Sequence, residues 1–241
     1  MQKGDIMKKV VVDSRIKKSS ADTLSTLGYE LIKLPPFPAL QAPVSAHPDM
    51  LIFIFEKNIV CHKDYLAIAK NELEEISALG YTLMVSDEPI SSKYPHDILF
   101  NALRLGKNIY ARLDHISKFI SEIAQKEGYA LKNVKQGYAK CSVCPVGNNA
   151  AITSDPSLYK AMCADGIDVL LISQNNIRLD GYDTGFIGGC SGSDAENIYF
   201  SGNILLHPDG KLIADFCEKH QKKAVSLSDE PLYDVGSLFF L

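Results

Sequence analysis

Five short runs of β-forming residues, each introduced by a polar pair and each followed by a helix signal, constrain this 241-residue chain more than any other feature. They begin at Lys8 (KKVVVDS), Lys57 (KNIVCH), Lys107 (KNIYAR), Asn148 (NNAAITS) and Gly202 (GNILLHPD). A repeat of this kind sets the architecture before any single residue is considered. After the second run, Leu66, Ala69, Leu73, Ile76 and Leu79 recur three and four apart, which predicts a one-faced helix stopped by Gly80. After the third, Asp114 reads as the N-cap, Ile116, Phe119, Ile120 and Ile123 as the stripe, and Gly128 as the stop. After the fourth, Ser154 or Asp155 caps, Pro156 fits the first turn, Leu158, Ala161 and Met162 face inward, and Gly166 ends the helix. The fifth helix runs through Leu212, Ile213, Phe216 and His220.

A second strand follows each helix: GYELIKL from Gly28, GYTLMVS from Gly80, GYALKNV from Gly128, GIDVLLIS from Gly166 and KKAVSLS from Lys222. A further apolar run precedes four of the units, at His47 to Phe55, His96 to Phe100, Tyr138 to Val143 and Glu196 to Phe200. The first unit lacks one, and an unpartnered strand, Gly236 to Leu241, stands at the other end to supply it. The expected fold is therefore α/β: a five-bladed, pseudo-symmetric α/β propeller of five ββαβ units, closed by the carboxy-terminal strand, which removes exposed sheet edges. A doubly wound parallel sheet also alternates strands and helices, but it does not place two strands before each helix. Linkers concentrate at Pro35 to Pro48 and Pro89 to Pro95, too short and too apolar to separate domains, so residues 1–241 read as one domain.

Composition narrows the function classes. With 46% apolar residues, 22% charged residues and a formal net charge of −4, the chain reads as an ordinary globular protein. No Lys/Arg-rich block gives a nucleic-acid footprint. The longest apolar runs, such as Met50 to Phe55 and Asp168 to Ser173, are strand-length, and Met1 to Lys9 leads into a strand with no signal-peptide core. Six irregularly spaced cysteines read as reduced thiols, which points to the cytoplasm.

Five ββαβ units at this length resemble the pentein superfamily of guanidine-modifying enzymes, and the resemblance covers nearly the whole chain. Local motifs are most similar to dimethylarginine dimethylaminohydrolase: Pro48-Asp49-Met50-Leu51-Ile52-Phe53 resembles its substrate-side Pro-Asp strand, and His96-Asp97-Ile98-Leu99-Phe100 its Gly-Asp-Val-Leu-Phe strand. The resemblance implies a central pore in which carboxylates fix a guanidinium, a cysteine thiolate attacks it, and a histidine moves protons. In that family the nucleophile lies in the closing strand, which here reads Tyr233-Asp234-Val235-Gly236-Ser237-Leu238-Phe239-Phe240-Leu241 and holds no cysteine. The histidine belongs near Gln136 to Cys141, and no histidine occurs between His115 and His207. Carboxylates at Asp49 and Asp97 remain, and the resemblance puts them at equivalent inner-strand positions of neighbouring units.

The expected ligand is thus a small cationic molecule, guanidino or amino-acid-like, held by Asp49, Asp97 and Asp183, with Gly188 and Gly189 letting the backbone approach it. Each residue also has a plain structural reading. Asp after Pro or His often bonds local backbone in a turn, and the segment Gly185 to Gly192, with four glycines in eight residues, is equally an irregular loop without the lysine of a P-loop. Cys141-Ser142-Val143-Cys144 is a lone CxxC with no second half-site, so no metal or other cofactor is expected. Among His47, His96 and His207, the last lies at the outer end of its strand and reads as a cap or a solvent-exposed residue. Two alternatives stay open: an active amidinohydrolase or amidinotransferase with its nucleophile relocated to Cys144 or Cys190, and a non-enzymatic interaction protein.

Overall fold

Val10, Val11 and Val12 are each fully buried, so the first strand is covered on both faces, the condition under which a continuous β-branched run becomes a central strand. The computed structural model describes residues 8–241; the reading of the amino terminus as a strand lead-in falls largely on residues outside these. In the first unit β1 (Lys8–Asp13) runs parallel to β2 (Tyr29–Leu34), with α1 (Lys18–Thr26) as the crossover that parallel pairing requires. The second unit contains α2 (Pro48–Leu51), β3 (Ile52–Phe55), β4 (Asn58–His62), α3 (Lys63–Ile68), α4 (Lys70–Ala78) and β5 (Thr82–Ser86). The third contains β6 (Leu103–Leu105), β7 (Asn108–Ala111), α5 (Lys118–Lys126) and β8 (Ala130–Asn133). The fourth contains α6 (Ala139–Ser142), β9 (Val143–Pro145), β10 (Ala150–Thr153), α7 (Pro156–Ala164) and β11 (Asp168–Leu171). The fifth contains β12 (Ser191–Ser193), β13 (Asn197–Phe200), α8 (Gly210–Lys219) and β14 (Lys223–Ser226), after which β15 (Phe239–Phe240) returns to the first unit.

The described residues form five three-stranded sheets. In each, the middle strand pairs antiparallel with an inner strand and parallel with the strand after the helix. The inner strand of the first sheet is β15, which pairs Phe240 with Val10 and Phe239 with Val11, as the missing run in the sequence requires. Hydrophobic clusters tie each unit to the next: Val11 and Ile32 meet Ile59 and Leu73, Phe53 and Val60 meet Ile109 and Ile120, Tyr110 meets Ala151 and Leu158, and Ile152 meets Ile198 and Ile213. A fifth cluster joins Tyr199 and Leu227 to Val10, Val12 and Leu24, so the last unit packs on the first and the order is cyclic. No helix among the described residues is long and apolar enough to cross a membrane.

Asp155 caps α7 as expected, its Oδ1 accepting from the N–H groups of Ser157 at 2.7 Å and Leu158 at 2.9 Å. The inner runs depart from expectation. Pro48 to Leu51 and Ala139 to Ser142 are helical turns, and the strands begin only at Ile52 and Val143. The third inner strand is Leu103–Leu105, while His96 to Phe100 is turn and irregular backbone, and Asp49 lies in a helical turn; Asp49 and Asp97 are therefore not on strands. In the fifth unit the inner strand lies in the glycine-rich segment, Asn197–Phe200 is the middle strand, and the run after Gly202 is a 3-10 turn at Ile204–Leu206 because Asn203 accepts from the Leu205 N–H. Asp114 lies in a 3-10 turn, and Ser117 holds the N-cap position of α5.

Candidate functional site

The helical turns α2 and α6, the glycine-rich loop and the closing segment meet around Ser237. Their meeting has local causes: the Asp49 N–H donates to the Gly236 carbonyl at 3.0 Å, and Asn101 Oδ1 accepts the Lys140 N–H at 2.8 Å, satisfying an N-terminal donor of α6. Asn101 also donates from Nδ2 to the Asp49 carbonyl at 3.1 Å and to Cys141 Sγ at 2.9 Å, so one buried amide fixes both turns. Ser237 Oγ is 2.7 Å from Asp49 Oδ2, 2.9 Å from the Gly188 carbonyl oxygen and 2.7 Å from Lys140 Nζ. Lys140 donates to it, leaving one hydroxyl proton for two acceptors. Ser237 itself is fully buried and sits at φ 72°, a left-handed conformation uncommon for a residue with a side chain.

Beside this cluster lies His47. Its Nδ1 is 3.7 Å from Asp234 Oδ1 and its Nε2 is 3.9 Å from Asp13 Oδ2, ion-pair distances rather than hydrogen bonds, with all three residues buried. Asp13 is clamped by Arg15, which donates from Nε at 3.0 Å and from Nη2 at 2.7 Å. Among the described residues, two donors reach Asp234, the N–H groups of Phe186 at 2.8 Å and Gly236 at 3.0 Å. Burial pushes its carboxyl above the ordinary value; His47 pulls the other way and the Asp49 charge adds to the rise.

The cavity above the cluster measures about 120 Å³ and is walled by Tyr138, Tyr182 and Phe186 over Met50, Cys141, His47 and Asp234. Tyr138 Oη donates to Asp97 Oδ2 at 2.7 Å; burial first, then that carboxylate, raise the phenol's pKa. A second cavity of about 370 Å³ is lined by Asp49, Arg104, Lys140, Asp194, Lys222 and Phe239 among others. Asp49 and Lys140 face the larger space and their chain neighbours Met50 and Cys141 the smaller one, so the two helical turns form a partition.

Two residues expected from sequence, Asp49 and Asp97, are buried, and each keeps an Oδ1 with no hydrogen-bond partner. Asp183 is exposed and lines neither cavity. Gly188 and Gly189 face protein: a Cβ at Gly188 would stand 2.3 Å from the Lys140 and Val143 carbonyl oxygens, and one at Gly189 would stand 2.1 Å from Asp234 Oδ1. Cys144 and Cys190 are buried; burial pushes the Cys144 thiol up to about 11 and raises that of Cys190 well above its ordinary value, with the Asp234 charge adding to the latter. His96 is exposed, and His207 Nδ1 accepts the Asp209 N–H at 3.0 Å at the entry to α8. Among the described residues no three His, Cys, Asp or Glu side chains gather as a metal site would require. Sequence reasoning names His47 without a site role and misses Asn101, Lys140, Asp234 and Ser237; the available signal is that Asp234 and Ser237 flank the point where the closing strand lacks its cysteine.

A model for a family of unknown function, DUF6873, matches residues 11–239. No curated protein sequence matches the chain. Solved structures do match in fold. The dimethylarginine dimethylaminohydrolase of Pseudomonas aeruginosa, a cysteine-to-serine mutant complexed with citrulline, superposes with a TM-score of 0.54 at 10% identity over 92% of each chain. SxtG, an amidinotransferase of the saxitoxin biosynthetic pathway of Microseira wollei, gives 0.58 at 10% identity over 92% of this chain and 89% of that one. The N-terminal domain of ArgZ, a cyanobacterial arginine dihydrolase in a cysteine-to-serine mutant bound to substrate, gives 0.56 at 10% identity over 91% and 90%. The likeness is one of fold, the pentein fold of five repeated α/β units.

Proposed function

The chain belongs to the DUF6873 family, of unknown function, and from that premise we propose that it binds a small cationic ligand, guanidino or amino-acid-like, in its interior without Cys-His amidino chemistry. The observation that carries this reading is Ser237: the closing strand brings a serine, not a thiol, against the Asp49 carboxylate. Two of the fold's solved structures hold citrulline or substrate in cysteine-to-serine mutants, consistent with a serine-bearing site that binds. Four buried carboxylates, Asp13, Asp49, Asp97 and Asp234, surround the site against the fixed cations Arg15 and Lys140, a balance that favours a positive guest. Each charge-assisted hydrogen bond to such a guest contributes about 1.5–3 kcal/mol. A relocated nucleophile needs a depressed thiol pKa, and the thiols of Cys144 and Cys190 are shifted the other way. We place this role in the cytoplasm, with reduced thiols and without a nucleic-acid or membrane partner.

The test is thermal unfolding with a panel of guanidino and amino-acid compounds, paired with assays for turnover. A raised Tm with wild type, lost in Asp97→Asn and unaccompanied by product, is the expected result. Turnover blocked by alkylation of Cys144 or Cys190 would establish the enzymatic alternative. No stabilisation by any compound at millimolar concentration would leave a surface interaction role.

A further inference from the structure

We propose that the 120 Å³ cavity is an aromatic cage for an N-alkylated ammonium group and that it binds such a group in preference to a bare guanidinium. The inference rests on the cation-binding reading above and specifies its chemistry. Tyr138 and Phe186 stand with ring centroids 6.1 Å apart at an interplanar angle of 30°, and Tyr182 lines the same space. Ring faces carry negative electrostatic potential and attract a cation without accepting a conventional hydrogen bond.

Apart from the His47 ring nitrogens, the polar side chains of this wall already have partners. Tyr138 Oη is bound to Asp97, Tyr182 Oη to Gln41 at 3.0 Å, and Thr184 Oγ1 donates to backbone carbonyl oxygen. Both Asp234 oxygens receive backbone N–H groups, and Asp49 Oδ2 receives Ser237. The carboxylate oxygens without a partner, Oδ1 of Asp49 and of Asp97, are sealed from solvent. A bare guanidinium has six N–H donors, against which the wall offers His47 and the remaining lone pairs of Asp234, so most would lose water without gaining an acceptor. A quaternary ammonium has none to leave unsatisfied. Its charge, spread over methyl groups, suits the soft floor of Met50 and Cys141, while Asp234 in the wall and Asp97 behind the Tyr138 hydroxyl supply the attracting field.

Size sets a further condition. A cavity of 120 Å³ holds a head group and not a whole metabolite, so the rest of the ligand leaves past Tyr182, which is 41% exposed.

Titration of the full chain with tetramethylammonium, guanidinium and ammonium chlorides at constant ionic strength, followed by calorimetry, tests the proposal. Tetramethylammonium is expected to bind about tenfold more tightly than guanidinium. Because Tyr182 is half exposed, its variants should fold; Tyr182→Phe keeps the ring and is expected to retain that preference, whereas Tyr182→Leu loses it. Equal or tighter guanidinium binding overturns the cage and leaves the cation-binding reading in place. Retention of the preference in Tyr182→Leu also overturns the cage. Absence of binding by all three salts at tens of millimolar overturns both.

Discussion

Two aspartates on opposite sides of the partition make a controlled comparison. Asp194, on the side of the larger cavity, accepts from the hydroxyls of Tyr29 at 2.5 Å and Tyr199 at 3.0 Å and from the N–H groups of Glu196 at 2.9 Å and Asn197 at 2.7 Å. Burial alone would raise its pKa, but those donors outweigh it and hold the carboxyl well below the usual range. Asp234, on the side of the smaller cavity, is more deeply buried and has two donors, and its pKa goes up. The same side chain is thus satisfied in one place and kept under-satisfied in the other. Beside an aromatic wall, the Asp234 carboxylate supplies the field that attracts a cation.

The largest break in this comparison comes from filling the space against Asp234. Gly189→Ala sets a methyl 2.1 Å from Asp234 Oδ1, so either the loop or the carboxylate must move, and a loss of about 4 kcal/mol is expected in urea unfolding. A loss under about 1 kcal/mol would mean that the loop does not hold Asp234 in place. Ser237→Ala comes next. It removes the hydroxyl between Lys140 and Asp49 while leaving the backbone bonds of the closing segment, and should cost about 2 kcal/mol with an unchanged denaturant slope.

The outer parts of the fold were legible because their causes are local. Valines 10 to 12 form a strand by their own branching, and Asp155-Pro156 announces a helix start within two residues. The inner turns have remote causes. Asp49 sits in a helical turn whose N–H is held by Gly236, and α6 is capped by Asn101, 39 residues before Lys140, so period-two patterning alone reads both segments as strand. The site divides the same way. Pro-Asp and His-Asp motifs mark Asp49 and Asp97 in sequence, but neither marks Asp234, whose role depends on being enclosed by Phe186, Gly189 and His47. Asp183, two residues before a run of glycines, has the right charge and faces solvent. Glycine richness there reflects close packing of protein against protein, which sequence cannot distinguish from room left for a ligand.

The smallest effect is the most discriminating, because the two aspartates should respond to pH with opposite sign. Asp194 has a lowered folded pKa, so the unfolded chain binds more protons below the ordinary carboxylate range; its contribution is present above the unfolded pKa and is lost as pH falls through the folded one. Asp234 has a raised folded pKa, so the native state binds more protons just above that range, and stability falls as pH rises from the ordinary carboxylate value through the folded one. Urea unfolding from pH 3 to pH 7 should therefore show Asp194→Asn losing about 1 kcal/mol more at the upper end, since the group is only partly buried. Asp234→Asn should show the reverse trend, its deficit against wild type shrinking as pH rises. Parallel profiles for the two variants would mean that the donor count around each carboxylate does not set its titration, and the contrast between the two sides of the partition would fail.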